Sequence, residues 1–159
     1  MVDFETLFQK ALLAKPSSND FFKKNKKRLE SMDTIVHDLH HQISEKTDCL
    51  SCANCCRTLG PRVTHKDIDK IAKALRMKPS AVVEKYLRKD EDDDFVFQSM
   101  PCPLLMSDNY CMIYDARPKA CREYPHTDRK KFHQIFELSI KNAATCPIVY
   151  EVLEELKKK

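Results

Sequence analysis

The sequence predicts a mainly α protein: a small helical domain with a cysteine-rich core and a short β-hairpin. Three observations lead there. The 159 residues include a single glycine, too few for the turns of a large sheet or for a loop that cradles phosphate. Apolar residues recur at three- and four-residue steps through most of the chain, which is the helical period. Four of the eight cysteines crowd into Cys49–Cys56 at the spacing C-x2-C-x2-C-C, a local density that an ordinary apolar core does not need.

A hydrophobic fraction of 42% with 33% charged residues describes a globular chain, and its length suits one domain. The net charge of +4 permits an acidic partner without implying one. No apolar run approaches the ~18 residues of a membrane span. The start, Met1 to Leu7, has acids early and no basic stretch leading into an apolar one, so a secretory signal is not expected. These features point to a cytoplasmic protein.

Taken in order, Phe4, Leu7, Phe8, Ala11 and Leu12 form one face of a short helix, which Lys15-Pro16 is expected to end. Ser17, Ser18 and Asn19 offer caps for a second, long helix with a seam at Phe22, Leu29, Met32, Val36, Leu39 and Ile43. That seam suits a bundle, or a helix-mediated dimer. The basic run Lys23–Arg28 lacks interleaved aromatic residues and reads as a solvated face, so a nucleic-acid partner is not expected. His37 and His41 share a helix face, as two metal-binding histidines would, but with eight thiols available they read as surface residues.

Thr64 with Asp67 marks the cap of the next helix, whose inner face is Ile68, Ile71, Ala72 and Leu75. A short helix is expected from a Ser80 cap, with Val82, Val83, Tyr86 and Leu87 inward. Asp90–Asp94 is an exposed loop without the glycine and glutamate of a calcium loop. Phe95–Phe97 reads as a short strand. Two apolar runs around Ser107-Asp108-Asn109 read as a small hairpin that brings Cys102 near Cys111. One helical turn is expected between Pro118 and Pro125. Another helix carries Phe132, Ile135, Phe136, Leu138 and Ile140. The last begins at Cys146-Pro147, with Ile148, Val149, Val152, Leu153 and Leu156 buried. The organisation expected is residues 1–47 as a helical segment packed on a cysteine-cluster domain, 48–159.

In a reducing compartment clustered thiols hold metal or do redox work more often than they form disulfides. A C-x-x-C pair turns both sulfurs toward one point, the bite of zinc ribbons and iron–sulfur proteins. Eight cysteines suffice for two four-coordinate zinc sites, or for one cubane cluster with sulfurs to spare. The second C-x-x-C bite of a zinc ribbon is missing, and Pro101-Cys102-Pro103 and Cys146-Pro147 are similar to the Cys-Pro ends of iron–sulfur ligand runs. The expected ligands are Cys49, Cys52, Cys55, Cys56, Cys102, Cys111, Cys121 and Cys146, with Arg117, Arg122 and Tyr124 around them to offset charge. Consecutive side chains diverge, so Cys55 and Cys56 are expected to serve different roles.

The cysteine motif, Pro101-Cys102-Pro103-Leu104, Cys111–Pro118 and Cys121-Arg122-Glu123-Tyr124-Pro125 together resemble the CxxCxxCC family, the YkgJ-type cysteine-cluster proteins described as zinc- or iron-chelating. The resemblance runs from about Cys49 to Cys146. It departs where the family carries a turn glycine and this chain has Asp108-Asn109, a turn that asparagine tolerates. The function expected is chelation of an iron–sulfur cluster or iron through thiolates, with redox or protein-modification chemistry. The alternative is a zinc-binding structural or interaction module with an unknown protein partner. No Ser-His-Asp set, paired catalytic carboxylates or phosphate loop assigns an independent enzymatic reaction.

Overall fold

The structure, a computed structural model, describes residues 3–159; Met1 and Val2, the first residues of the expected N-terminal segment, lie outside them. It is mainly α, as expected, with one small two-stranded antiparallel sheet. The chain forms two compact units. One comprises Met1–Asn54 with Pro125–Lys159, here the helical unit; the other is Cys55–Tyr124, here the cysteine unit. No helix among the described residues is long and apolar enough to cross a membrane.

The helical unit opens with α1 (Phe4–Leu29), which runs straight through Pro16 instead of ending there. Ser17 does not cap a new helix: its hydroxyl donates to the Ala14 carbonyl at 2.8 Å, and Ser18 is buried within the helix. The reason is register. Leu7, Ala11, Ser18 and Leu29 are buried on one face, and Phe22 stacks on Phe136 at 4.9 Å, so the inward stripe continues in phase across the proline. An interior proline costs about 3 kcal/mol. Burying each large apolar side chain beyond it returns roughly 1.5–3 kcal/mol, so several together outweigh the defect. Pro16 itself is exposed.

The expected long helix instead breaks at Glu30–Met32, giving α2 (Asp33–Ser44). Ser31 turns its hydroxyl onto the Arg28 carbonyl at 2.8 Å. The Asp33 carboxylate accepts the amides of Lys131 and Phe132, which ties the start of α2 to a distant segment of the same unit. The seam is nevertheless buried, from Leu29 through Met32, Val36, Leu39 and Ile43. Its partner is α9 (Pro147–Leu156), which presents Ile148, Val149, Val152, Leu153 and Leu156. A 3-10 turn, Phe132–Ile135, leads into α8 (Phe136–Asn142). Leu138, expected inward, is exposed, because Ser139 and Ile140 hold the inner face of that helix. His37 and His40 bond within this unit, to the Arg129 carbonyl at 3.0 Å and the Thr127 hydroxyl at 2.7 Å.

In the cysteine unit, α5 (His65–Leu75) starts at the expected capping box, with Thr64 and Asp67 exchanging side-chain and backbone bonds. The next helix, α6 (Pro79–Tyr86), begins at Pro79 rather than after a Ser80 cap, since proline fits the first helical position. Strand β1 (Leu87–Lys89) pairs antiparallel with β2 (Phe95–Phe97) around the acidic turn. There Asp90 accepts the amides of Asp92 and Asp94, both at 3.0 Å. The regular ladder therefore lies at 87–97. The hairpin expected around Asp108-Asn109 closes with a single bridge, Leu105 to Cys111. Val63, Ile68, Ile71, Ala72, Val82, Leu87, Phe97, Leu104 and Ile113 form the core of this unit, and Cys102 and Cys111 pack against its edge.

Because α1 is continuous, Pro16→Ala should stabilise the protein, by about 1–3 kcal/mol, as the missing backbone donor is restored. Urea unfolding checks this: a raised midpoint is expected, and an unchanged or lowered one contradicts a continuous helix.

Candidate metal centre

The eight cysteines are free of disulfides and divide by unit. Cys56, Cys102, Cys111 and Cys121 lie in the cysteine unit with Cys55, whereas Cys49, Cys52 and Cys146 lie in the helical unit.

In the cysteine unit four separate backbone segments deliver the thiols. Cys56 sits on α4 (Asn54–Thr58). The Cys102 amide donates to the Cys56 carbonyl at 2.8 Å, joining the segment that follows a cis Met100–Pro101 bond to that helix. Cys111 is held opposite Leu105 by the bridge, with the Met112 amide on the Leu104 carbonyl at 2.9 Å. The tight turn between them has Asn109 at φ 66, the left-handed conformation that asparagine adopts readily. Cys121 rides on α7 (Lys119–Glu123), the helical turn expected between the two prolines. Asp67 positions that turn, accepting the Lys119 amide at 3.0 Å while it caps α5.

The thiols feel one another. Burial pushes Cys121 up to about 12, and the neighbouring Cys56, Cys102 and Cys111 add to the rise. Burial likewise pushes Cys102 up to about 11, against the amides of Leu104 and Leu105, which favour its thiolate. Cys111 is raised by burial and opposed by the Ile113 amide. Cys56 moves the other way, to about 7: the Cys55 thiol, with sulfurs 4.0 Å apart, stabilises its thiolate, and Arg117 and Arg57 assist.

Arg117 lowers Cys56, Cys111 and Cys121. Its guanidinium lies 3.6 Å from the centre of the Tyr114 ring and donates through Nε to the Tyr114 carbonyl at 2.7 Å. Arg122 is exposed, donates to the Arg117 carbonyl, and lowers Asp67. Tyr124 is half-buried at the end of α7. Arg57, Asp67 and Asn54 were not legible as site residues. Arg57 follows the cysteine pair directly and bonds the Asn109 side chain; its position next to Cys56 was the only available signal.

In the helical unit, Asp48 caps the turn α3 (Cys49–Cys52) through the Leu50 amide at 2.9 Å. Ala53 ends it in the left-handed conformation, φ 48, with its amide on the Cys49 carbonyl at 2.8 Å. The buried Asn54 side chain then donates to the Thr145 carbonyl at 2.8 Å, beside Cys146. Cys146 is 8% exposed at the N-cap of α9. Burial lifts it to about 11, the amides of Val149 and Ile148 oppose the rise, and Cys49 and Cys52 add to it.

Among the described residues, no three His, Cys, Asp or Glu side chains stand at the spacing of a formed coordination sphere. The donor chemistry nevertheless fits a thiophilic metal: soft ligands alone, backbone amides beside the sulfurs, and arginines to offset the charge of several thiolates.

A family model, CxxCxxCC, described as "Putative zinc- or iron-chelating domain", matches residues 48–147, well over half of the chain. No curated protein and no solved structure matches.

Asp67 gives a pH prediction. Burial alone would raise its carboxyl, but the Thr64 hydroxyl and amide, the Lys119 amide and Arg122 together hold it below the ordinary 3.8. A depressed folded value stabilises above the unfolded pKa and is lost as pH falls through the folded one. The stability gap between the wild type and Asp67→Asn should therefore be full at neutral pH and narrow below about pH 4. A gap that does not change with pH, measured by urea unfolding, would contradict this role.

Proposed function

Because the chain belongs to the CxxCxxCC family of zinc- or iron-chelating domains, we propose that it chelates iron, as a bare ion or an iron–sulfur cluster, through Cys56, Cys102, Cys111 and Cys121. The observation that supports this reading is that one compact unit within the matched region carries all four thiols, with the Cys102 amide bonded to the Cys56 carbonyl at 2.8 Å. Iron held by these thiols would supply electron transfer. The chain's own residues set its conditions. Backbone amides beside Cys102 and Cys111 favour the thiolates, and Arg117 and Arg57 balance their charge. The core of Val63 to Ile113 backs Cys102 and Cys111. Cys55 acts on Cys56 as a sulfur neighbour instead of a ligand. Eight thiols outside disulfides suit a reducing compartment, the cytoplasm.

A second reading is favoured by the same observation. Cys56, Cys102, Cys111 and Cys121 would then hold zinc as a structural ion, clamping the four segments that carry them. Stripping the metal with an external chelator would then unfold residues 55–124.

Serine substitution tests the ligand set. Cys56→Ser, Cys102→Ser, Cys111→Ser or Cys121→Ser should each abolish stoichiometric metal at this centre, whereas Cys55→Ser should retain it, since a hydroxyl still donates to the Cys56 sulfur. Full metal content in Cys121→Ser, by elemental analysis, would overturn the assignment. Arg117→Ala should weaken binding by roughly 10- to 100-fold, the usual effect of removing a group that supports the ligands. Competition against a chelator measures it, and unchanged affinity would remove Arg117 from the site.

A further inference from the structure

The apolar seam from Leu29 to Ile43 is buried within its own unit and leaves no face for a partner. The first half of α1 is different. Leu7, Ala11 and Ser18 face inward, but Phe8 and Leu12, expected on that same face, are 47% and 53% exposed. They stand one helical turn apart and form a patch. Glu5 and Lys15, both exposed, flank them along the helix. Positions 5, 8, 12 and 15 follow steps of three, four and three, the seam of a two-stranded coiled coil. The seam is also symmetric about the level of Lys10: Glu5 and Lys15 are equally far from it, and so are Phe8 and Leu12.

We propose that this face of α1 docks on α1 of a second copy of the chain, antiparallel, across a two-fold axis at the level of Lys10. In that register Phe8 of one copy packs on Leu12 of the other, and Glu5 meets Lys15. Each contact is made twice, as a two-fold interface requires. The occupant follows from self-complementarity, and charge sets the direction. A parallel pair would set Glu5 on Glu5 and Lys15 on Lys15, and would lay the two basic runs Lys23–Arg28 side by side. The antiparallel pair joins opposite charges and sends the basic runs to opposite ends. Neither Glu5 nor Lys15 forms an ion pair within its own chain among the described residues. The Gln9 side-chain amide donates to Glu5 at 2.9 Å and leaves its charge in place. Exposed ion pairs add little strength, so the apolar pair supplies the affinity and the charges supply the register. Four side chains from each copy fall short of the about 20–30 residues a side of a standard interface, so the association is weak and concentration-dependent. The proposal is independent of the metal reading, because α1 carries no cysteine.

The test is sedimentation equilibrium of the full chain over a concentration series, with the thiols kept reduced so that no disulfide joins two copies. The wild type should show a reversible monomer–dimer equilibrium. Leu12→Glu should raise its dissociation constant by about tenfold or more, the effect of losing a central apolar contact. Leu13→Glu is the control, because Leu13 is 80% exposed but lies off the seam. The two positions are adjacent in one helix, so the difference between these variants reads the interface and not the fold. Glu5→Lys and Lys15→Glu should each weaken the dimer, and the double variant should recover it, since opposite charges then meet again across the axis. A monomer at every concentration overturns the proposal. So does a dimer that Leu12→Glu leaves intact, or one that Leu13→Glu weakens equally. Single charge reversals that weaken association, with no recovery in the double variant, overturn the antiparallel register.

Discussion

One backbone hydrogen bond, from the Cys102 amide to the Cys56 carbonyl at 2.8 Å, is the contact on which the cysteine unit's centre depends. It fixes the start of the hairpin to the helical turn that ends the cysteine motif. The bridge from Leu105 to Cys111 then carries the third thiol, and the Asp67 bond to Lys119 carries the fourth. Each link is backbone or a capping carboxylate, so the sulfurs are placed without any sulfur having to serve as scaffold. Their burial works against ionisation, most strongly at Cys121 and Cys102. A cation held there would offset that penalty for all of them together, and Arg117 and Arg57 act in the same direction on Cys56.

Much of this was legible in the sequence because it rests on local rules. The Thr64–Asp67 capping box, the proline at the start of α9 and the left-handed Asn109 each follow from the chemistry of a few adjacent residues. What was not legible is decided by distant partners. Pro16 reads as a helix end on local grounds, yet the inward stripe on both sides of it continues in phase and overrides the rule. Glu30–Met32 reads as helix, yet Asp33 is captured by Lys131 and Phe132. The strand at Phe95–Phe97 was visible from its residues, but its partner Leu87–Lys89 reads as the tail of a helix until the pairing is known.

The cysteines show the same division. That these thiols belong to metal chemistry is carried by their spacing and by the family they match. Which thiols share a unit is not, because Cys52 and Cys55 are close in sequence and fall in different units, while Cys52 and Cys146 are far apart and share one. Scarcity of glycine adds to the difficulty. Ala53, Arg76, Asp93, His126 and Lys131 all take positive φ, conformations for which the sequence offers no glycine as a marker. At Ala53 that strained residue is what ends the first cysteine turn and starts the next.

The most direct test of the central claim is an anaerobic purification with a visible absorption spectrum and quantitation of iron, zinc and acid-labile sulfide per chain. The account predicts coloured protein with stoichiometric iron. Protein that carries neither iron nor zinc, with all eight thiols free to react, would contradict it.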